Sequence, residues 1–406
     1  MKKRVLQFFL GVITKKIVTK YRPKVIAITG SVGKTSTKRA IKLLLETEFN
    51  VRSSAANLNT EFGVPLVFIG EEEGGGSSWI RWAKIIISGL FLIVKKDKEY
   101  PQIIITEMGA DKRGDISYLI SLAKPDIGII TMVGEVPVHI ENYNSLEDIV
   151  KEETEIVRKT DFAIINFDDL TSRKAESKSD PIFFGFNDGA DIKISNFKIE
   201  TRSIDNRDIP YGSSFNITTD KEEIRIHLPY CIGKPFAYSV AAALACGSIL
   251  DVGHDYIKDI FRELRPEKGR MQMIVQKKYL IIDDTYNASP DSMASSLETI
   301  KSLPGPRKVA ILGDMKELGD YSIAVHRDIG ELVAKTCDVL ITVGDKAKEI
   351  AGSATRVGMN YNFTYSFDSN SKLIDRLEDI LEEGDVVLVK GSRSMKMEEI
   401  VQSIIK

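Results

Sequence analysis

Ala27-Ile28-Thr29-Gly30-Ser31-Val32-Gly33-Lys34-Thr35-Ser36 joins an apolar run to a helical pattern. Val25–Thr29 reads as a buried strand, and Lys34–Thr47 as the helix that follows. Glycines between them let the backbone turn tightly, so N–H groups can point at an anion. The helix N-terminus adds a favourable field. In such a loop Lys34 neutralises the β- and γ-phosphates of ATP and the Thr35 hydroxyl ligates Mg²⁺. Gly30, Ser31, Val32, Gly33 and Ser36 complete the cradle. The strict pattern asks for glycine six residues before the lysine. Ile28 stands there instead and GxxGK[ST] remains. A strand-to-helix turn holding a chance lysine is the bland alternative. With the strand before it and the helix after it, the stretch predicts an α/β fold: a P-loop-type central ATPase domain with a mostly parallel sheet.

Outward from the loop, strand-like runs at Gln102–Glu107, Asp126–Val133 and Phe162–Asn166 alternate with helical patterns. Those patterns cover Asp115–Ala123 and the stretch from the N-cap Ser145, with Asp148 three residues on, to about Val157. This rhythm calls for a parallel sheet with helices on both faces. Residues 181–229 differ, since alternation at Asp191–Glu200 and Glu223–Leu228 suggests β-hairpins on a flank. A surface loop is expected around 73–76, and Pro235 opens an alanine-rich helix.

After Gly269 the α/β alternation restarts, with strands at Tyr279–Asp283, Lys308–Leu312, Val339–Val343 and Val386–Lys390. Ser289 is an N-cap with Pro290 at the first helical position, and a helix closes the chain after Met395. Three parts are expected: an N-terminal amphipathic helix over 1–21, a central domain over 22–267, and a C-terminal Rossmann-like α/β domain over 268–406.

The chain's 56 basic and 58 acidic side chains give a net charge of −2, so no global positive field recruits nucleic acid. Cys231, Cys246 and Cys337 form no CxxC pair, which argues against a zinc ribbon or redox dithiol. They read as reduced, buried thiols of a cytoplasmic protein. The apolar segment 5–18 begins like a signal peptide, but Lys15 and Lys16 interrupt it and no small-residue cleavage site follows. Leu6, Phe9, Leu10, Ile13 and Ile17 fall on one helical face. A second apolar segment, 85–94, follows Trp79, Arg81, Trp82 and Lys84 and is far shorter than the ~20 residues a spanning helix needs. Both segments read either as helices packed on the domain or as contact with the inner face of the membrane. His227, His254 and His326 read as structural.

The loop T-G-S-V-G-K-T-S resembles that of the Mur ligases, the ATP-dependent amide ligases of peptidoglycan precursor synthesis. Further blocks, in family order, are similar to the branch that adds D-alanyl-D-alanine. They are Asn57-Leu58-Asn59-Thr60-Glu61-Phe62-Gly63-Val64-Pro65, Glu107-Met108-Gly109-Ala110 and Lys124-Pro125-Asp126. Later blocks are Asp283–Met293, with its YNASPDSM run, Gly313–Gly319, and Val389–Glu398.

The resemblance implies roles that residue type alone leaves open. Glu107 ends a strand, where a glutamate is as naturally a surface charge, and is implied as a Mg²⁺ ligand. His139 matches the histidine at the second metal. Glu153 stands where many members carry a carbamoylated lysine, and is read as a permanent carboxylate replacing it; a solvent-facing glutamate on a charged helix is the alternative. Arg270 matches the arginine that reaches the γ-phosphate across the cleft. Asp284 matches the ribose-binding acid, with Tyr286 and Asn287 in the adenine-side loop, although this stretch is equally good turn chemistry. Asn59, Lys390, Ser392 and Arg393 are implied at the substrate.

The implied reaction activates a carboxylate as an acyl phosphate and transfers it to an amine, with ATP and Mg²⁺ required. UDP-linked muramoyl tripeptide and D-alanyl-D-alanine are the implied substrates. The chain departs from the pattern at Thr60, at Lys234–Ser239 and at Glu153. It is also expected to lack the domain that holds uridine diphosphate, so a partner protein, the N-terminal helix or a lipid-linked substrate would supply that recognition. A folylpolyglutamate-type ligase, another Mur-like ligase, and a catalytically inactive nucleotide-binding scaffold at the membrane surface are the competing readings.

Overall fold

A computed structural model describes residues 2–54, 58–204, 207–220, 222–253 and 257–405. Asn57 and His254 lie outside the described residues. Nine strands form the first sheet: β1 (Lys24–Thr29), β2 (Val51–Ser53), β3 (Ile103–Glu107), β4 (Ile127–Ile130), β5 (Phe162–Asn166), β6 (Ile182–Gly185), β7 (Ile192–Ile204), β8 (Arg207–Thr218) and β9 (Glu223–Pro229). Their order is β2-β3-β1-β4-β5-β6-β7-β8-β9. Pairing is parallel from β2 through to β7 and antiparallel across β7, β8 and β9. The hairpins expected on a flank are therefore an extension of the main sheet.

Alternation along the strands decides the layers, because successive side chains point to opposite faces. Ile26 and Ile28 of β1 join one core, and Val25 and Ala27 the other. Seven helices cover the two faces: α1 (Lys2–Tyr21), α2 (Lys34–Leu45), α3 (Gly63–Ile69), α4 (Trp79–Val94), α5 (Asp115–Leu122), α6 (Leu146–Lys159) and α7 (Lys234–Ile249). Ile41 and Leu44 of α2 meet the alanines of α7 on the first face. On the second, Leu10 and Ile17 of α1, Phe68 of α3, Ile85 of α4 and Leu119 of α5 share a core. Ser145 caps α6 by accepting from Asp148 N–H, as expected.

The structure adds detail to the readings of α1 and α4. Of the five residues placed on one face of α1, Leu6, Leu10, Ile13 and Ile17 are buried, whereas Phe9 is 48% exposed at the edge of the stripe, where it lines a trough with Trp79. The apolar run 85–94 is only the second half of α4, which Ser78 caps sixteen residues earlier than its end at Val94. No helix among the described residues is long and apolar enough to cross a membrane.

The second sheet holds β10 (Gln272–Val275), β11 (Leu280–Asp284), β12 (Lys308–Gly313), β13 (Val339–Val343), β14 (Thr364–Phe367) and β15 (Val386–Lys390), ordered β10-β11-β15-β12-β13-β14. All pairs are parallel except the edge strand β10 with β11. The last strand, β15, inserts between β11 and β12, which brings Lys390 beside Asp284. The helix Pro290–Lys301 that follows β11 begins with the expected Ser289 cap, closed into a capping box by Ser292. Cys231 and Cys246 are buried free thiols, and burial pushes both well above the usual thiol range.

Candidate functional site

The glycine loop leaves β1 with Gly30 at φ 124° and Gly33 at φ 90°, left-handed values that glycine adopts without strain. A Cβ on Gly30 would also meet Thr131 Oγ1 at 2.5 Å, so the close approach of β4 excludes a side chain there. The end of β4 scaffolds the loop from below. Thr131 Oγ1 donates to Val32 O at 2.6 Å, Ser31 N–H donates to Met132 O at 2.6 Å, and Ser31 Oγ donates to Val133 O at 2.9 Å. Lys34 opens α2 and folds its ammonium back onto the Gly30 carbonyl.

Glu107 ends β3 and is 1% exposed. Thr35 Oγ1 donates to its Oε2 at 3.4 Å, and Lys38 Nζ lies 2.8 Å from its Oε1. Lys38 is buried as well and donates to Ser54 Oγ at 3.0 Å. The sequence reading passed over Lys38. The signal available was its position one helical turn after Lys34, which aims both ammonium groups along the same side of α2.

The two sheets meet so that their carboxyl edges enclose a cleft of about 260 Å³. Open α/β sheets bind ligands at that edge. From the first lobe it is lined by Ser31 to Ser36, Asn59, Glu107 and His139, and from the second by Arg270, Asp284, Tyr286, Asn287, Lys390 and Arg393. The Arg270 guanidinium stacks over the Tyr286 ring at 3.9 Å, and Arg393 approaches the same ring at 5.8 Å. Asp284 accepts from Met271 N–H at 3.0 Å, from Ser296 Oγ at 2.7 Å and from Lys390 Nζ, so its carboxylate anchors Lys390 at the cleft wall. Lys390 also donates to Asn287 O at 3.1 Å. His139, at φ 68°, points Nδ1 at Glu317 Oε2, 2.8 Å away, and Nε2 toward Asp111 Oδ1 at 3.6 Å.

Gly30, Glu153 and Ser392 do not line the cleft. Gly30 lies under the loop. Ser392 accepts from Lys316 N–H at 2.9 Å and holds the turn after β12. Glu153 is 6% exposed, which overturns the solvent-facing alternative. Its Oε2 accepts from the Thr29 hydroxyl and from Gly30 N–H at 3.2 Å, behind the loop. Burial raises its pKa from the ordinary range, against the pull of Lys34. His326 is structural, accepting from Met315 N–H at 3.0 Å through Nε2.

The donors suit a hard cation only in part. Thr35 and Glu107 offer oxygens within one wall of the cleft, as Mg²⁺ prefers. Among the described residues no three His, Cys, Asp or Glu side chains form a set able to hold a metal alone. That fits an ion carried in with phosphate oxygens, which commonly takes one or two protein carboxylates.

A glycine loop facing an arginine–tyrosine pair across two α/β lobes defines a two-lobed α/β protein with an inter-lobe cleft suited to an anionic ligand. Residues 87–247 match the Mur ligase middle domain, and residues 269–393 match the Mur ligase, glutamate ligase domain. The UDP-N-acetylmuramoyl-tripeptide–D-alanyl-D-alanine ligase of Buchnera aphidicola subsp. Acyrthosiphon pisum is 30% identical over 98% of this chain and 80% of the relative. The Escherichia coli enzyme of that name is 29% identical over 94% of this chain and 76% of the relative. Among solved structures, MurF from Thermotoga maritima in complex with ADP superposes with a TM-score of 0.77 at 25% identity, covering 98% of this chain and 83% of that one. MurF from Acinetobacter baumannii reaches 0.81 at 24% identity, over 98% and 80%. The chain belongs to the Mur ligase family.

Proposed function

We propose that this protein is an ATP-dependent ligase of peptidoglycan precursor assembly that joins D-alanyl-D-alanine to a UDP-linked muramoyl tripeptide. The observation that carries the reading is the facing of Lys34 and Thr35 on one lobe by Arg270 and Tyr286 on the other. The relatives' names supply the substrates, and the T. maritima structure with ADP supports adenine nucleotide as the phosphoryl source.

A carboxylate is a poor acyl donor because its leaving group would be oxide. In the proposed reaction a substrate carboxylate oxygen attacks the γ-phosphorus and ADP departs. The amine then attacks the acyl carbon, loses a proton and expels inorganic phosphate. Lys34 and Arg270 offset the repulsion between two anions as they approach. Main-chain N–H groups of residues 32–36 orient the phosphates. The Tyr286 ring offers a flat apolar wall backed by Arg270. Mg²⁺ held by Thr35 and Glu107 would add electrostatic stabilisation of the transferring phosphoryl group. Catalysis needs no nucleophilic side chain, and closure of the lobes excludes water that would hydrolyse the acyl phosphate.

The test is phosphate release from ATP with UDP-muramoyl tripeptide, crossed with D-alanyl-D-alanine, single amino acids and glutamate. Release and peptide product with D-alanyl-D-alanine alone is the expected result. Product with glutamate or a single amino acid would replace the acceptor, and ADP formation without any amide product would end the ligase reading.

A further inference from the structure

Helices α1 and α4 lie side by side and run parallel. Leu6 and Phe9 meet Trp79 and Trp82, Ile13 lies against Gly89, and Lys20 Nζ donates to Leu92 O at 2.8 Å. In α4 only Trp82, Ile85 and Gly89 are buried, although the helix carries apolar residues on every side. A helix apolar all round belongs in a core or a lipid phase. Here Ile80 is 74% exposed, Ile87 65% and Phe91 60%, and on the adjoining α1 Phe8 is 66% exposed. An apolar trough of about 410 Å³ runs between the two helices. Single exposed apolar residues mean nothing, but many of them on two adjacent helices that share an apolar trough mark a docking face.

Charge decides what docks. Neither helix contains an aspartate or glutamate, in a chain whose net charge is −2. Lys3, Arg4, Lys15, Lys16, Lys84 and Lys95 stand exposed around the apolar residues. A basic rim around an apolar face with tryptophan at its edge is complementary to anionic headgroups over acyl chains. No described helix is long and apolar enough to span, so the face would lie on the bilayer rather than cross it.

We propose that the α1–α4 face is a docking surface for an anionic lipid bilayer. Trp82 also packs at 6.2 Å against Phe62, three residues from Asn59 in the cleft wall. Docking would therefore set the Asn59 corner of the cleft near the membrane surface. The proposal stands or falls independently of which acid and amine the cleft joins.

The full chain would be mixed with vesicles of phosphatidylcholine, alone or with phosphatidylglycerol, and followed by co-sedimentation and intrinsic fluorescence. The chain's two tryptophans are Trp79, which is 52% exposed on this face, and Trp82, buried beneath it, so a change in emission reports on this region through Trp79. The expected result is partition and a blue shift with phosphatidylglycerol vesicles that salt weakens. The double variant Ile87→Glu, Phe91→Glu should partition at least about tenfold less with an unchanged melting temperature, and Lys15→Glu, Lys16→Glu should weaken binding by about tenfold. Absence of partition, equal partition of wild type and the apolar-face variant, or equal binding to both vesicle types would overturn the proposal. So would a wild-type dimer in light scattering that the Ile87, Phe91 variant converts to monomer, since a second copy would then be the occupant.

Discussion

His139 Nδ1 lies 2.8 Å from Glu317 Oε2, and the two residues belong to different lobes. Both hold left-handed backbone conformations, φ 68° and φ 65°, which turn their side chains toward each other across the cleft mouth. The pair is partly exposed, so its contribution to stability should be below about 1 kcal/mol. Its effect should be on lobe closure. Glu317→Ala is expected to leave the melting temperature nearly unchanged, enlarge the radius of gyration by small-angle scattering, and lower turnover several-fold. An unchanged scattering profile together with unchanged turnover would rule out the latch.

Lys34 donates to the Gly30 carbonyl at the cleft wall, whereas Lys38 is buried and committed to Glu107. Lys34→Ala should therefore cost about 10²–10³ in turnover with little change in folding. Lys38→Met should behave differently, because it leaves the buried Glu107 carboxylate without its ion-pair partner. A loss of about 3–5 kcal/mol in a denaturant titration is expected. If Lys38→Met melts like wild type, Glu107 has another source of compensation.

Glu153 can be tested as a hydrogen-bond acceptor or as a charge. Glu153→Ala would strand the Thr29 hydroxyl and the Gly30 N–H, at a cost of about 1–3 kcal/mol. Glu153→Gln keeps an acceptor oxygen for both. Retained activity in Glu153→Gln would make the residue a support for the loop. Lost activity with an unchanged melting temperature would show that the negative charge is used, the expected outcome if Glu153 replaces a carbamoylated lysine. Wild-type activity should not depend on added bicarbonate, and a requirement for it would contradict that role.

Asp291, on the helix after β11, is pushed up to about 6 by burial first, then by Asp169 and Glu135. It faces Gly134 of the other lobe, where an added Cβ would come within 1.9 Å of Asp291 Oδ2. A raised carboxyl pKa favours the protonated form in the folded state. The associated stability is fully present below the unfolded value of 3.8 and is lost as pH rises through about 6. Asp291→Asn should thus match wild type below about pH 4 and be more stable than wild type well above about pH 6, by about 3 kcal/mol at most. A melting difference independent of pH would assign the effect to packing.

The α/β alternation and the loop were legible because each rests on local rules, whereas the cleft residues beyond the loop were implied only by the resemblance to the Mur ligases. Buried strands read as apolar runs, Ser145 and Ser289 announce helix starts, and glycines at 30 and 33 mark the turn. Lys38 was not legible, because a lysine in a helix is ordinarily solvated, and only the placement of β3 beside β1 brings Glu107 to it. The partner of Asp284 was not legible for the same reason: Lys390 lies 106 residues away and arrives only because β15 inserts beside β11. The length of α4 escaped the hydropathy reading, since its first half mixes tryptophan with arginine and lysine.

The amino-acid order by itself determined which segments are strands and helices, that an anion-binding turn exists at residues 30–36, and which chemical groups are available to it. These follow from backbone sterics and from the periodicity of apolar side chains, both of which act over a few residues. Tertiary structure alone decided which of those groups share a cleft, which are spent on one another, and which face of α4 is left bare. Such pairings depend on strand order and lobe contact, where residues tens to hundreds of positions apart compete for the same buried space and the same few partners.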